Sequence, residues 1–394
     1  MKRLRLSLAL LLAGAALAAS ADSLDGIAMR MALNNPAVAS ARTGYDADLA
    51  AARADNTLAG LEVEGSYSVS RDGADDNRWG VSVGQDFDWP GVYAARRKAN
   101  GYRAEAFGYL YRAELEQAAY EAKCAIIRLA QAEADVRVIH TAHENMDRMS
   151  DVVDKAFERG DVTILEVHKL RIERFATASR CAKAAAEAES ARAAVKALNG
   201  GLLPELPADI LDCSEPLPLD VYTEAFRRGN PAAAARRSLA QLAESEVSVT
   251  RRAALPSFRL AYAHDYEDRT HFNGISLSVS LPSWSPGTRV AAAKARAIAA
   301  QLDTESYDIS VFTGLMDNYS KAVRLYERLS EAAPTFDSDV YPELLLTALR
   351  TGKLDVVTYL TEYNQYLTAA ADYQDLRAEL AYAMAYLNRY NVAL

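Results

Sequence analysis

Two groups of residues in this sequence have types and spacings that invite a chemical reading. His140, His143, Met146 and Met149 follow one another at steps of three. Imidazole and thioether ligands of that kind suit copper or silver. The sequence around them reads as helix, and a step of three drifts by roughly 60° around a 3.6-residue turn. Four such side chains cannot converge on one ion from a single chain. They are expected to be polar and packing residues of a coiled coil, and no metal or other cofactor is expected. The second group is Arg159, Gly160 and Asp161, with Gly352 and Lys353 further along. These interrupt long helix-forming runs; glycine closes one helix and a polar residue caps the next. No nucleophile elbow, HExxH pair or phosphate-binding glycine loop occurs, and the five histidines are scattered. Nothing here reads as an enzyme.

Bulk properties narrow the class. The chain has 394 residues, half of them hydrophobic and a quarter charged, which is ample for a folded core and argues against general disorder. Lys2, Arg3 and Arg5 precede an apolar run over residues 6–19, and Ala19-Ser20-Ala21 fits a small-x-small cleavage site. Residues 1–21 are therefore expected to be a signal peptide, with a retained N-terminal anchor as the alternative. Its removal takes the formal net charge from −9 to −12. An acidic balance argues against a nucleic-acid partner, which calls for a basic surface. Cys124, Cys181 and Cys213 have no metal-ligand spacing, and the first two are expected to be small buried hydrophobes in helices. No later stretch approaches twenty apolar residues, so no transmembrane helix is expected. An exported chain of that kind either stays free beyond the inner membrane or inserts as a β-barrel.

The elements that must position these residues fall into two similar halves. Two stretches alternate apolar and polar residues with period two, a strand signal. In the first, Leu61, Val63, Gly65, Tyr67 and Val69 oppose Glu62, Glu64, Ser66, Ser68 and Ser70, and Trp79, Val81, Val83, Phe87 and Trp89 oppose Gly80, Ser82, Gly84, Asp86 and Asp88. In the second, Phe258, Leu260, Tyr262 and Tyr266 oppose Arg259, Ala261, Ala263 and Asp265, and Ile275, Leu277, Val279 and Leu281 oppose Gly274, Ser276, Ser278 and Ser280. Strands are expected at about 61–70, 79–89, 257–266 and 273–283, with loops at 71–78 and 267–271. Nearly all the rest reads as helix. A helix over 92–158 has no internal proline and would span on the order of 100 Å. A second returns over 162–198, and residues 202–218 form a proline-rich connector. Asn230-Pro231 then echoes Asn35-Pro36, Ser285-Pro286-Gly287 echoes Trp89-Pro90-Gly91, and Thr351-Gly352-Lys353 echoes Arg159-Gly160-Asp161. These near-constant offsets mark an internal duplication, with repeats over 22–201 and 219–394 and helical tips at 159–161 and 351–353. Breaks in the second long helix are expected at Pro334 and Pro342.

Strands of about 9–11 residues are long enough to cross a bilayer at a tilt. A sheet in lipid must close, because unpaired edge groups there cost several kcal/mol each. Four strands are too few, so several chains would have to share one barrel. Here the sequence resembles the TolC-like outer-membrane efflux family over nearly the whole mature chain. The resemblance rests on the duplicated layout and on two motifs. Gln85-Asp86-Phe87-Asp88-Trp89-Pro90-Gly91 followed by Ala94-Ala95-Arg96-Arg97 resembles the strand-to-helix junction of the heavy-metal branch. Phe157-Glu158-Arg159-Gly160-Asp161-Val162-Thr163-Ile164-Leu165-Glu166-Val167 resembles the family's hairpin tip.

The resemblance implies a mainly α chain with a β-barrel portion. Three copies would share a twelve-stranded outer-membrane barrel, continued by a helical coiled-coil tube in the periplasm. It implies a homotrimer acting as a passive exit duct for small molecules or metal ions. Arg159, Gly160, Asp161, Gly352 and Lys353 would contact a periplasmic adaptor (membrane fusion) protein. Through it the duct would serve an inner-membrane pump, of resistance-nodulation-division type. Glu166, with Thr358 and Thr361 where the family often has acidic residues, would line the periplasmic constriction; Asp355 and Glu362 lie off that register. Tyr67, Trp79, Trp89, Tyr262 and Tyr266 would form an aromatic belt near the strand ends, facing outer-membrane lipid. The same kind of duct serves type I protein secretion. The alternative from another class is a soluble periplasmic coiled-coil protein, structural or adaptor-like, whose hairpins form a docking domain.

Overall fold

The computed structural model describes residues 23–54, 56–69, 78–207, 210–211, 214–267, 269–281, 286–336 and 340–390. The expected signal peptide, most of the 71–78 loop, Cys213, Trp284 and Ser285 lie outside them. The chain runs α1 (Leu24–Asn34), α2 (Pro36–Ala54), β1 (Glu62–Ser68), β2 (Arg78–Phe87), α3 (Pro90–Glu158), α4 (Ile164–Leu198), α5 (Leu219–Gly229), α6 (Pro231–Arg252), β3 (Ser257–Glu267), β4 (Thr270–Ser280), α7 (Pro286–Phe336), α8 (Val340–Arg350) and α9 (Val356–Leu387). Four helices begin at a proline: α2, α3, α6 and α7. Proline suits the first helical position, where its missing N–H has no partner to lose. The second long helix stops beside these prolines, as expected: α7 ends at Phe336, two residues after Pro334, and α8 begins at Val340, two residues before Pro342. Pro334 lies in the last turn of α7, where its ring removes one i→i−4 hydrogen bond, and Pro342 lies in the first turn of α8, where the missing N–H has no helical partner to lose. The hairpin between β3 and β4 is tighter than the expected 267–271 loop, because pairing continues to Glu267↔Thr270.

Two compact units divide the chain, and α2, α3 and α7 contribute residues to both. One unit holds Ser40–Ala113 and Pro231–Ser310. It contains a four-stranded antiparallel sheet in the order β1-β2-β3-β4, so the two hairpins pair through β2 and β3. Its helices meet largely through buried alanines, among them Ala95, Ala99, Ala235, Ala293 and Ala297; small side chains let helix backbones approach closely. Arg103 bridges from α3 to Glu246 of α6 at 3.0 Å.

The other unit holds the described part of Met1–Ala39, with Glu114–Asn230 and Val311–Leu394. It is helical and carries the larger apolar clusters. One joins Met146, Met149 and Val153 of α3 to Val167 and Leu170 of α4, Leu346 of α8 and Tyr359, Leu360 and Tyr363 of α9. A run of stacked rings, Tyr359–Tyr363–Tyr366–Phe336–Tyr373, ties α9 to the end of α7. The Asn145 amide donates to the Tyr359 hydroxyl at 2.6 Å inside the cluster. A buried ionic group lies further along α3, where Lys123 pairs with Asp25 of α1 and Glu116 lies 3.7 Å from Arg389.

Burial pushes the Glu116 carboxyl up to about 7, against the lowering pull of Arg389 and Lys123. A carboxyl raised in the folded state stabilises it fully below its unfolded pKa of about 4.3, and that stabilisation is lost as pH rises through the raised value. Glu116→Gln is therefore expected to flatten the decline in thermal stability between about pH 5 and pH 8. Melting curves at several pH values on wild type and variant check this; parallel profiles would refute it.

Candidate functional site

The two helical tips use the same backbone device. At the end of α3, Gly160 takes a positive φ of 78°, and at the end of α8 Gly352 takes 71°. In the first, Gly160 N–H donates to Phe157 C=O at 3.0 Å and Asp161 N–H to Ala156 C=O at 2.9 Å. In the second, Gly352 N–H donates to Leu349 C=O at 3.0 Å and Lys353 N–H to Ala348 C=O at 2.9 Å. This paired closure needs a left-handed residue at its centre, which glycine adopts without a Cβ clash. Residues of both tips share the apolar cluster around Met149, Val167, Leu349 and Val356, so the tips are packed side by side.

The following helices are capped by matched but exchanged side chains. Three residues after Gly160, Thr163 caps α4 and Glu166 closes a capping box, accepting from Thr163 N–H at 2.6 Å and from its hydroxyl at 2.8 Å. Three residues after Gly352, Asp355 caps α9, accepting from Val357 N–H and Thr358 N–H at 2.9 Å each and from the Thr358 hydroxyl at 2.6 Å. The threonine–acid pair thus appears in both tips with its order reversed. Thr358 stands where Glu166 stands, and the carboxylate has moved to the cap position. Asp355, which lies off the register of Thr358 and Thr361, is hydrogen-bonded to Thr358, so the second tip carries a carboxylate beside these neutral residues. Thr361 turns its hydroxyl back to Val357 C=O at 2.9 Å, and Glu362 accepts from the Tyr341 hydroxyl at 3.2 Å.

Both cap carboxyls are held below the usual carboxylate range. For Glu166 the main cause is the Thr163 backbone N–H, then its hydroxyl; the charge of Asp355 acts in the opposite sense. For Asp355 the main cause is the Thr358 hydroxyl, then the backbone N–H groups. The tip therefore presents two ionised carboxylates that feel each other. Around them Phe157, Ile164, Leu165 and Val357 are exposed, Arg159 pairs with Asp161 at 2.9 Å, and Lys353 is exposed. Charged groups set among solvent-facing apolar side chains suit contact with another protein. The apolar members escaped sequence reading, because their helical spacing reads equally well as core.

The histidine–methionine run is not brought together. Met146 and Met149 are fully buried in the apolar cluster. His140 is exposed beside Glu144 at 3.5 Å, and His143 lies 3.9 Å from Asp147.

The sheet presents two chemically distinct faces. Register puts Val63, Tyr67, Trp79, Val81, Val83, Phe87, Phe258, Leu260, Tyr262, Tyr266, Ile275, Leu277 and Val279 on one. The other carries serines, glycines, alanines, the charged residues Glu62, Glu64, Asp86, Arg259 and Asp265, and one phenylalanine, Phe272. There Arg259 joins strands by pairing with Glu62 and, at 3.4 Å, with Asp86. At one end of the apolar face Tyr67, Trp79 and Tyr266 lie in one row across three strands, with Trp79 and Tyr266 stacked at 5.9 Å. At the other end Trp89 meets Phe258 at 5.7 Å. Tyr262 is a correction: it sits midway between Phe258 and Tyr266, paired with Val83 and Ile275, and is not an end residue. Phe258 takes the end position. The eight steps from Phe258 to Tyr266 cover about 27 Å at 3.4 Å per residue, close to the roughly 25 Å apolar band of a membrane barrel.

No protein-family model and no curated protein sequence matches the chain. Solved structures match it in fold. The CmeC outer membrane channel of Campylobacter jejuni is 18% identical, with a TM-score of 0.75 over 94% of this chain and 85% of that one. CusC, whose structures concern folding and transmembrane channel formation, is 16% identical, with a TM-score of 0.76 over 93% and 91%. The outer membrane protein VceC of Vibrio cholerae is 14% identical, with a TM-score of 0.76 over 93% and 95%. The chain has the outer-membrane-channel fold. At that identity the likeness is one of fold, and the side chains at the tips and on the sheet are this chain's own. The outer-membrane-channel fold accounts for a small antiparallel sheet in an otherwise helical chain.

The capping geometry predicts a local effect. Thr163→Ala removes the hydroxyl that accepts from Glu166 N–H and donates to its carboxylate, leaving only the backbone N–H of residue 163 on that carboxylate, and should cost about 1 kcal/mol, seen as faster amide exchange over the first turn of α4. Because both cap carboxyls are lowered, the stabilisation they give is present above the unfolded carboxylate range and is lost as pH falls through the folded values. Protection relative to the intrinsic exchange rate should therefore fall at both tips in acid, before the helix interiors respond. A uniform fall in protection along α4 and α9 would contradict this.

Proposed function

We propose that this chain is the outer-membrane channel subunit of a tripartite efflux system. It acts as a passive, non-enzymatic exit duct for small molecules or metal ions, lodged in the outer membrane with its helical part in the periplasm. The observation that carries this reading is the sheet: one face is apolar, exposed and rimmed by aromatics, and β1 and β4 each have one edge without a strand partner among the described residues. Such a sheet is stable in lipid only if its edges are closed by other strands. β1 of one copy pairing with β4 of the next, in a homotrimer, gives a closed twelve-stranded barrel, an even number in the range that such barrels use. Exposed apolar residues on the helices support the same assembly. Leu165, Ile172 and Phe175 on α4, and Ile298, Leu302, Ile309 and Phe312 on α7, are solvent-facing in the single chain and follow the three-, four- and seven-residue steps of a coiled-coil seam.

In this reading the charged and serine-rich face of the sheet lines the duct. The tips at Gly160 and Gly352 contact a periplasmic adaptor, and the adaptor links them to an inner-membrane pump of resistance-nodulation-division type. In a trimer, Glu166 and Asp355 supply a ring of carboxylates at the periplasmic constriction, with Thr358 and Thr361 as neutral members. Such a ring favours cations over anions on electrostatic grounds.

Detergent extraction of the outer membrane followed by mass determination should recover three chains per particle. Leu277→Arg places a charge on the lipid face and should cost about 2–4 kcal/mol if the site lies near the bilayer midplane, preventing insertion, whereas Ser276→Arg on the opposite face should insert. Recovery of a soluble monomer, or equal insertion of the two variants, would overturn the reading. The adaptor contact has a separate test. Gly160→Trp with Gly352→Trp should abolish efflux while a folded trimer remains in the membrane; normal efflux in that double variant would exclude docking at the tips.

A further inference from the structure

The apolar face of the sheet is broken at one corner by a cluster of polar side chains. His264 on β3 and His271 and Asn273 on β4 point to the same side as Tyr262, Trp79 and Ile275. His264 pairs across the strands with Asn273, and His271 is its diagonal neighbour. His264 Nε2 and His271 Nδ1 lie 3.2 Å apart. His264 Nδ1 lies 2.8 Å from Asn273 Oδ1, and the Tyr262 hydroxyl donates to that same oxygen at 2.8 Å. Trp79 packs against His264 with ring centroids 5.6 Å apart, and Tyr266 against His271 at 4.9 Å.

From this arrangement we infer a binding site for a divalent transition-metal cation, Cu²⁺ or Zn²⁺ by ligand chemistry, chelated by His264 Nε2 and His271 Nδ1. The amide oxygen of Asn273 can only accept, so it sets the proton of His264 on Nδ1 and leaves the Nε2 lone pair directed at His271. A hydrogen bond from the second ring nitrogen to a carbonyl is the usual way a metal-binding histidine is oriented. Two imidazole nitrogens each about 2.05 Å from one ion at a tetrahedral angle lie about 3.3 Å apart, close to the separation present. The rings meet end-on, with centroids 5.2 Å apart and planes 28° apart, so the exposed His271 ring must tilt to bring its lone pair onto the ion. In the metal-free chain His271 Nδ1–H donates to His264 Nε2. On coordination that proton passes through solvent to His271 Nε2, both rings stay neutral and no net proton is released. Water or a solvent anion completes the shell, since only two protein ligands converge.

The site is internal to the β3–β4 hairpin and its neighbour Trp79, so it stands or falls independently of the transport role proposed above. It is also separate from the polar face that would line a duct. Its donor set differs from the His140–Met149 run, whose methionines are buried.

Trp79 supplies the test. Cu²⁺ bound at His264 should quench it, so purified detergent-solubilised protein titrated with Cu²⁺ should lose fluorescence saturably, at one ion per chain. Zn²⁺ should compete, and the bound Cu²⁺ should give an electron paramagnetic resonance signature of two imidazole nitrogens. His271→Asn should weaken binding by on the order of tenfold or more, in line with loss of one chelating ligand. Trp79→Phe should remove most of the quenching while the nitrogen signature persists. The double variant His140→Asn with His143→Asn should bind as wild type. His271 is exposed, so its variant is expected to fold, and its melting temperature checks that. Unchanged binding in a folded His271→Asn variant, loss of binding in the His140/His143 variant, or no saturable quenching would each overturn the proposal.

Discussion

Backbone hydrogen bonding at the sheet edges is the constraint on which the rest depends. A strand edge in hydrocarbon leaves N–H and C=O groups without partners, each costing several kcal/mol. In this chain the two hairpins are far apart in sequence, yet β2 and β3 pair over nine residues, from Trp79↔Tyr266 to Phe87↔Phe258. That pairing satisfies the inner edges and gathers both apolar faces on one side. The outer edges of β1 and β4 remain, and one face stays apolar and exposed. No rearrangement within a single four-stranded sheet removes both liabilities; the trimeric barrel proposed above would remove them. The exposed apolar seams on α4 and α7 repeat the point in helical form.

The two tips share a geometry while exchanging its chemistry. Gly160 and Gly352 close their helices with the same pair of hydrogen bonds, because only a left-handed residue lets the last carbonyls find donors in so short a turn. Thr163–Glu166 and Asp355–Thr358 then solve the same capping problem in opposite order. A capped helix needs an acceptor for its first N–H groups, and either residue of the pair can supply it. The local rule is satisfied both ways, and a carboxylate survives in each tip. The shared apolar cluster beneath, closed by Met149, Val167, Leu346 and Tyr359, holds the two carboxylates near enough to influence each other.

The helical unit and the sheet-bearing unit are packed by different means. Stacked tyrosines and buried leucines and methionines fill the first, where rings such as Tyr359, Tyr363 and Tyr373 bury large areas with few rotatable bonds. Alanines dominate the second, where Ala95, Ala99, Ala235 and Ala293 leave helix backbones close together. The polar network of Glu116, Lys123, Asp25 and Arg389 is confined to the helical unit. Desolvation there outweighs ion pairing for Glu116, as expected when a charge is withdrawn from water with imperfectly placed partners.

Sequence alone determined the elements and their chemistry. Period-two alternation marked the strands and assigned Val81, Leu260 and Leu277 to one face, because side chains on a strand alternate without reference to anything else. Prolines and glycines marked helix starts and stops for equally local reasons: Pro90 cannot donate, and Gly160 has no Cβ. Tertiary structure decided whatever depends on which distant residues meet. Strand order and register moved Tyr262 to mid-strand and Phe258 to the rim, because a rim position is defined across strands. Proximity across the tip brought Asp355, which caps its own helix with Thr358, within electrostatic reach of Glu166, a relation invisible while the two hairpins are read separately. Diagonal placement across β3 and β4 joined His264 to His271, seven residues apart, because a cross-strand neighbour is set by register and not by spacing along the chain.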